Sequence, residues 1–144
     1  MDKTKEIIHS LNQLVQGEYM SIKAFNIYIS KLKDEGVKRA FQEVQDQHRE
    51  NIKNLTHYIQ DLGGQANENS GFKGTMAEMK ISMQSSSHTE SSDYIKKAIE
   101  GMIKGVNMTE NLLRGDLDDP SRQLVGEILE NDRGAIEKLR SLKQ

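Results

Sequence analysis

The sequence predicts an all-α chain folded as a four-helix bundle, and three observations carry that prediction. Apolar residues return at three- and four-residue intervals over four long stretches, the period of amphipathic helices. Helix breakers are scarce within those stretches, with one proline in 144 residues. The length suits one domain whose core needs no covalent staples.

In the first stretch the stripe runs Ile7, Leu11, Leu14, Glu18, Ile22, Phe25, Ile29 and Leu32, so a glutamate occupies a position where the period asks for an apolar residue. The stripe ends near "KDEG", where Asp34 is placed to cap the next helix. The second stripe is Val37, Phe41, Val44, His48, Ile52, Leu55, Ile59 and Leu62, with Asn51 beside it, and it stops at Gly63-Gly64. These two helices are expected to form an antiparallel hairpin. The third stripe begins after "ESSD" as Ile95, Ile99, Met102, Val106, Thr109 and Leu113, with Gly115 as its expected C-cap. The fourth follows "DLDDP", where Asp119 is the expected N-cap and Pro120 the first helical residue, and it reads Val125, Ile128, Asp132, Ala135, Leu139 and Leu142.

The connection from Gly63 to Ser92 is too long for a turn. "GGQANENSG" and "SSSHTESS" read as loops, while Phe72, Met76, Met79 and Met83 between them have helical spacing and predict a short helix inside a long crossover. A helix of ~24 residues is about 36 Å long, so such a crossover can traverse the bundle and leave the second and third helices parallel. No repeat and no boundary interrupts the pattern, and the expectation is a single domain over residues 1–144.

Composition excludes several functions. With no cysteine, disulfides, thiolate metal sites and cysteine nucleophiles are ruled out. A net charge of -2 supplies no basic excess for phosphate backbones, so nucleic acid is not an expected partner. No apolar run approaches the ~20 residues of a membrane span, and "MDKTKE" is not followed by a signal-peptide core. The expectation is a soluble, cytoplasmic protein without a membrane partner, a homodimer through apolar helix faces being a candidate assembly.

The midpoints of the four stripes fall close to Glu18, His48, Met102 and Asp132. Helices of similar length packed side by side bring their midpoints to one level, so three metal-ligating residue types are expected to converge in the interior. A buried carboxylate without a partner is costly and is relieved by pairing, by a metal or by protonation. Two readings follow. The cluster is a polar layer that fixes register, with Arg133 or Arg49 as neutralising partners. Alternatively Glu18, His48 and Asp132 hold one divalent ion, iron, zinc or manganese, with Asn51 as a weak additional ligand. Other motifs are weaker. Asp116, Asp118 and Glu127 have calcium-loop spacing, but Ser121 stands where that loop needs glycine, and helix capping accounts for them. "GFKGT" lacks the ending of a phosphate loop, there is no G-x-S-x-G, and His9, His57 and His88 have no paired ligand nearby.

With these residues in place the chain resembles the ferritin-like superfamily, whose rubrerythrin-like members carry Gly-Glu in the first helix, as in Gly17-Glu18 here. It is most similar to a small bacterial ferritin-like family of uncharacterised function, through "LVQGEYMSI", "FQEVQDQHREN", "IQDLGGQ", "KGTMAEM" and "RGDLDDPSRQLVGEILENDR". The resemblance implies a ferritin-like bundle in which carboxylates on the first and third helices join a Glu-x-x-His pair on each of the others to hold two irons. Carried over residue by residue, Glu18 is the first-helix ligand. His48 stands at the second-helix glutamate and Asn51 at its histidine, Met102 replaces the third-helix carboxylate, and Asp132 and Ala135 stand at the fourth-helix pair. A register one turn away would make Glu130 and Arg133 that pair. Half the implied ligands are thus absent. The expectation is a non-enzymatic ferritin-like bundle, structural, stress-related or partner-binding, with a degenerate di-metal centre. The alternative is a protein that sequesters or senses a single divalent ion.

Overall fold

The computed structural model describes residues 2–68 and 90–142. The segment expected to hold the short helix, with Phe72, Met76, Met79 and Met83, lies outside the described residues. The described residues form four helices: α1 (Lys3–Lys31), α2 (Glu35–Asp61), α3 (Ser91–Leu113) and α4 (Asp119–Arg140). Among the described residues there is no strand. Each helix has the single apolar face that its stripe predicts, and the faces close on one another as a four-helix bundle.

α1 packs on α2 and α3, and α4 packs on α3 and α2. Contacts give the directions. Tyr28, late in α1, meets Tyr94, early in α3, at 5.9 Å between ring centroids, while Gly17 faces Met108. α2 and α4 likewise run in opposite directions, since Glu43 pairs with Lys138 and Asn51 with Asn131. Every adjacent pair is therefore antiparallel, and α2 and α3 are parallel on a diagonal, as the long crossover requires.

Local chemistry sets the helix ends. The Asp34 carboxylate accepts the Val37 N–H at 3.0 Å, satisfying one of the donors that the first turn leaves free. α2 ends where Gly63 turns to a φ of 86° and the Gly64 N–H reaches back to the Ile59 carbonyl at 2.9 Å, a closure that glycine adopts without strain. The chain then crosses α1, clamped by Asn12, whose side chain donates to the Gln65 carbonyl at 2.9 Å and accepts from the Asn67 N–H at 2.8 Å. Two expectations about caps are corrected. The N-cap of α4 is Asp118, one residue before the expected Asp119, because its carboxylate accepts both the Ser121 N–H and the Tyr58 hydroxyl, each at 2.9 Å. Pro120 accordingly sits second in the helix. The C-cap of α3 is Arg114 rather than Gly115, and Gly115 keeps a negative φ. Here Arg122 of α4 donates to the carbonyls of Leu113 and Gly115, so the α3 terminus is satisfied by a side chain and needs no left-handed residue.

Among the described residues the interior has two apolar clusters. One contains Phe25, Phe41, Val44, Tyr94, Ile136 and Leu139. The other, nearer the opposite end, contains Leu11, Leu14, Leu55, Ile59, Val125 and Ile128. The buried polar residues near the helix midpoints lie between them.

Candidate metal centre

Glu18 from α1, His48 and Asn51 from α2, and Asp132 from α4 are all buried, at 6%, 2%, 1% and 5% exposure respectively. They occupy core-facing positions of their helices, since Leu14, Val44, Leu55, Ile128 and Ala135 lie on the same faces. One ligand atom from each of Glu18, His48 and Asp132 lies within 4.8 Å of the others. The structure thus brings together the three residues expected to converge, and it resolves the register of α4. Asp132 and Ala135 face inward, whereas Glu130 and Arg133 are exposed and paired with each other.

Within the cluster, His48 Nδ1 lies 2.6 Å from Glu18 Oε2, the short contact of a charge-assisted hydrogen bond. The other ring nitrogen, Nε2, lies 3.2 Å from Met102 Sδ. The Asn51 amide donates to the same Glu18 oxygen at 3.4 Å, and its own oxygen accepts from Gln47 at 3.1 Å and Asn131 at 3.4 Å. Asn51 thereby acts as a donor to Glu18, with its oxygen held from the α4 side. Asp132 differs from the rest, because its Oδ1 is buried and has no hydrogen-bond partner among the described residues. Neither arginine expected to neutralise the acids reaches them. Arg133 pairs at the surface with Glu110 and Glu130, and Arg49 with Asp46, because a guanidinium is cheaper to leave in water than to desolvate.

Burial pushes the Asp132 carboxyl up to about 7 from 3.8, reinforced by the Glu18 charge and opposed by His48. For His48, burial works against the imidazolium, but the Glu18 hydrogen bond and the charges of Glu18 and Asp132 outweigh it and raise the pKa above its usual 6.5. The cluster therefore favours bound positive charge, whether protons or a metal ion.

A cavity of about 480 Å³ between α1 and α3 reaches this cluster and is lined by Glu18, His48, Met102 and Asp132 at its floor. Its walls include small residues at close spacing, Gly17, Ser21 and Ala24 on α1 and Ala98, Gly101 and Gly105 on α3, among larger side chains such as Phe25, Tyr28 and Met108. A Cβ built on Gly101 or Gly105 would meet nothing within 4 Å. Sequence reasoning missed this opening and the amides of Gln47 and Asn131. The small residues at three- and four-residue spacing on α1 and α3 were the available signal for the first. Nothing in the stripes marks the second, since both amides lie outside the apolar faces.

A ferritin-like bundle with a polar centre is the class that fold and site define. Residues 6–115 match the family described as Domain of unknown function (DUF2383), and the chain belongs to that family. No curated protein matches the chain significantly. Among solved structures it is similar to a two-domain protein of Anabaena variabilis with DJ-1/ThiJ/PfpI-like and ferritin-like domains, with a TM-score of 0.78 and 23% identity over 98% of this chain; it spans 36% of that protein. It is also similar to the dodecameric thioferritin, a bacterioferritin-related protein, of Bacteroides fragilis, with a TM-score of 0.77, 14% identity, and coverage of 98% of this chain and 85% of that one. A ferritin-like diiron-carboxylate protein of Bacillus anthracis matches with a TM-score of 0.56 and 19% identity over 99% of both chains. These likenesses establish the ferritin-like fold. Among the described residues no helix is long and apolar enough to cross a membrane.

Proposed function

We propose that the protein is a non-catalytic ferritin-like bundle that holds a single metal ion at Glu18, His48 and Asp132, for sequestration or sensing. One observation carries the reading: three ligand atoms from three helices lie buried within 4.8 Å of one another, and the Asp132 Oδ1 has no hydrogen-bond partner among the described residues. An isolated buried carboxylate oxygen is expensive, and a cation relieves both that cost and the repulsion between Glu18 and Asp132. Two oxygens and one imidazole suit divalent zinc, iron or manganese. The residues present do not fit a two-iron centre. Met102 and Ala135 face the interior where that centre would need a carboxylate and an imidazole, and Asn51 spends its oxygen on Gln47 and Asn131. No oxygen chemistry is assigned to the site.

The test is elemental analysis after loading with iron, zinc and manganese and removal of loose ions. The expected result is about one ion per chain in the parent and none in the Glu18→Ala, His48→Ala double variant. A double variant that holds the same metal as the parent defeats the reading. No ion in either would favour a metal-free polar layer, for which the 2.6 Å His48–Glu18 pair is the supporting contact. Self-association belongs to the same reading, since one structural neighbour is a dodecamer. Sedimentation of the metal-loaded protein, giving a dimer or larger species, tests it.

A further inference from the structure

We propose that the cavity between α1 and α3 binds a small primary monoamine, with its ammonium group on Asp132 and Glu18 and its apolar body along the cavity walls. This goes beyond the single-ion reading and does not rest on it, although the two occupants exclude each other because they share the carboxylates. Two observations carry it. The first is space. The cavity holds about 480 Å³, within the ~300–1,000 Å³ of small-molecule sites, whereas an ion at bond lengths of about 2 Å fills only its floor. The opening persists because α3 carries Gly101 and Gly105 on this side, where a Cβ on either would meet nothing within 4 Å.

The second is a lack of hydrogen-bond donors at the floor. Asp132 is 5% exposed and lines the cavity, and its Oδ1 has no hydrogen-bond partner among the described residues. The donors nearby are directed elsewhere. His48 engages Glu18 through Nδ1 at 2.6 Å and Met102 through Nε2 at 3.2 Å, and the Asn51 amide donates to Glu18 at 3.4 Å. Two carboxylates beside one imidazole leave a place for a group that is cationic and brings its own N–H donors. A primary ammonium brings three, and rotation about the soft carboxyl torsion of Asp132 turns the oxygen to the head group. Such charge-assisted bonds are stronger than neutral ones, and the same floor repels a carboxylate or phosphate head. Above the floor the chemistry changes. Met20, Ala24, Phe25, Ala98 and Met108 line the walls and suit a hydrocarbon chain. Lys97, Glu100 and Lys104 also line the cavity, the last two exposed. Two lysines against one glutamate disfavour a second ammonium at the far end of the ligand, which limits the class to monoamines.

The experiment is calorimetric titration of the full-length, chelator-treated protein at about pH 8, where an alkylamine is still cationic. The probes are n-hexylamine, 1-hexanol and 1,6-diaminohexane, and the parent is compared with Asp132→Asn, circular dichroism checking the fold. The expected result is one hexylamine per parent chain, bound more tightly than either of the other probes. In Asp132→Asn its affinity should fall by about 10–100-fold, the worth of a hydrogen bond to a charged group, while that of hexanol changes by less than about threefold. No hexylamine binding to the parent, equal hexylamine affinity in the two proteins, or equal affinity for the diamine overturns the proposal. Zinc(II) should displace the amine, and a chain that holds both at once overturns the shared site. Zinc binding without amine binding overturns this proposal and keeps the single-ion reading; amine binding without zinc binding does the reverse. The unaltered protein gives a further measurement. Hexylamine is expected to shift the methyl resonances of Met102 and Met108, which line the cavity, and no shift in either rejects the assignment.

Discussion

Asp132 is the residue on which the centre's energetics turn. Its carboxyl is raised from 3.8 to about 7, so the folded chain keeps a proton that the unfolded chain releases. The stabilisation is complete below about pH 4 and is lost as the pH rises to about 7, beyond which the charged form carries a fixed penalty. His48, also raised, acts in the same sense, because its contribution is present below 6.5 and is lost as the pH climbs through the folded value. Metal-free protein should therefore be more stable at pH 5 than at pH 8. Asp132→Asn should stabilise the metal-free protein at pH 8 by a few kcal/mol, with a ceiling of about 4 kcal/mol at about 1.4 kcal/mol per pH unit, and the advantage should vanish near pH 4. Urea denaturation in a chelator across that range measures it, and a gap independent of pH would contradict the assignment. Removing one member of the 2.6 Å His48–Glu18 pair should be severe. His48→Leu leaves an unpaired buried carboxylate, with an expected loss of about 3–5 kcal/mol, while the Glu18→Leu, His48→Leu double variant should recover much of it. Additive losses would mean that the two side chains are not coupled.

Helix ends and helix surfaces respond to different physics. Asp118 caps α4 and accepts the Tyr58 hydroxyl at 2.9 Å, tying α2 to the start of α4. Asp118→Ala should cost about 1–2 kcal/mol, and a change near zero would show that the cap is not holding. Glycine substitutions should separate backbone from space. At Gly63 a Cβ would meet nothing within 4 Å, but the φ is +86°, so Gly63→Ala should destabilise by about 1 kcal/mol through backbone strain alone. At Gly105, inside α3, a Cβ also meets nothing and the backbone is helical, so Gly105→Ala should stabilise by about 0.5–1 kcal/mol. The same sign at both positions in thermal melts would refute this contrast. The elements also show where sequence reasoning reached its limit. Asp34 was readable as a cap because its only role is local. The α4 cap was placed one residue late because Asp118 is selected by Tyr58, 60 positions away in the chain, and the expected Gly115 cap is unnecessary because Arg122 reaches the Leu113 carbonyl at the end of α3.

At the scale of the whole molecule, the polar centre separates two apolar clusters and is contacted by all four helices. An ion bound there stabilises the native state without a counterpart in the unfolded chain. At a free ion concentration of 100 times Kd the gain is about 2.7 kcal/mol, which for a chain of this size should raise Tm by roughly 5–10 °C. The rise should grow with ion concentration and disappear in the Glu18→Ala, His48→Ala variant. A melting temperature insensitive to every metal, in protein shown to bind one, would place the ion outside the folded core.

Periodicity, by itself, determined the four helices, their inward faces and the pairing of the first with the second, because a 3.6-residue period and a two-glycine stop are local properties of the chain. It also brought Glu18, His48 and Asp132 to one level, since helices of similar length align their middles. Only the tertiary structure decided what those side chains do to one another. Both arginines stay in solvent, Asn51 donates to Glu18, His48 points Nε2 at Met102, and one Asp132 oxygen has no hydrogen-bond partner among the described residues. The physical reason is that helix position follows from sequence spacing over a few residues, whereas ring orientation, desolvation and the opening between α1 and α3 depend on side chains from separate helices meeting within a few ångströms.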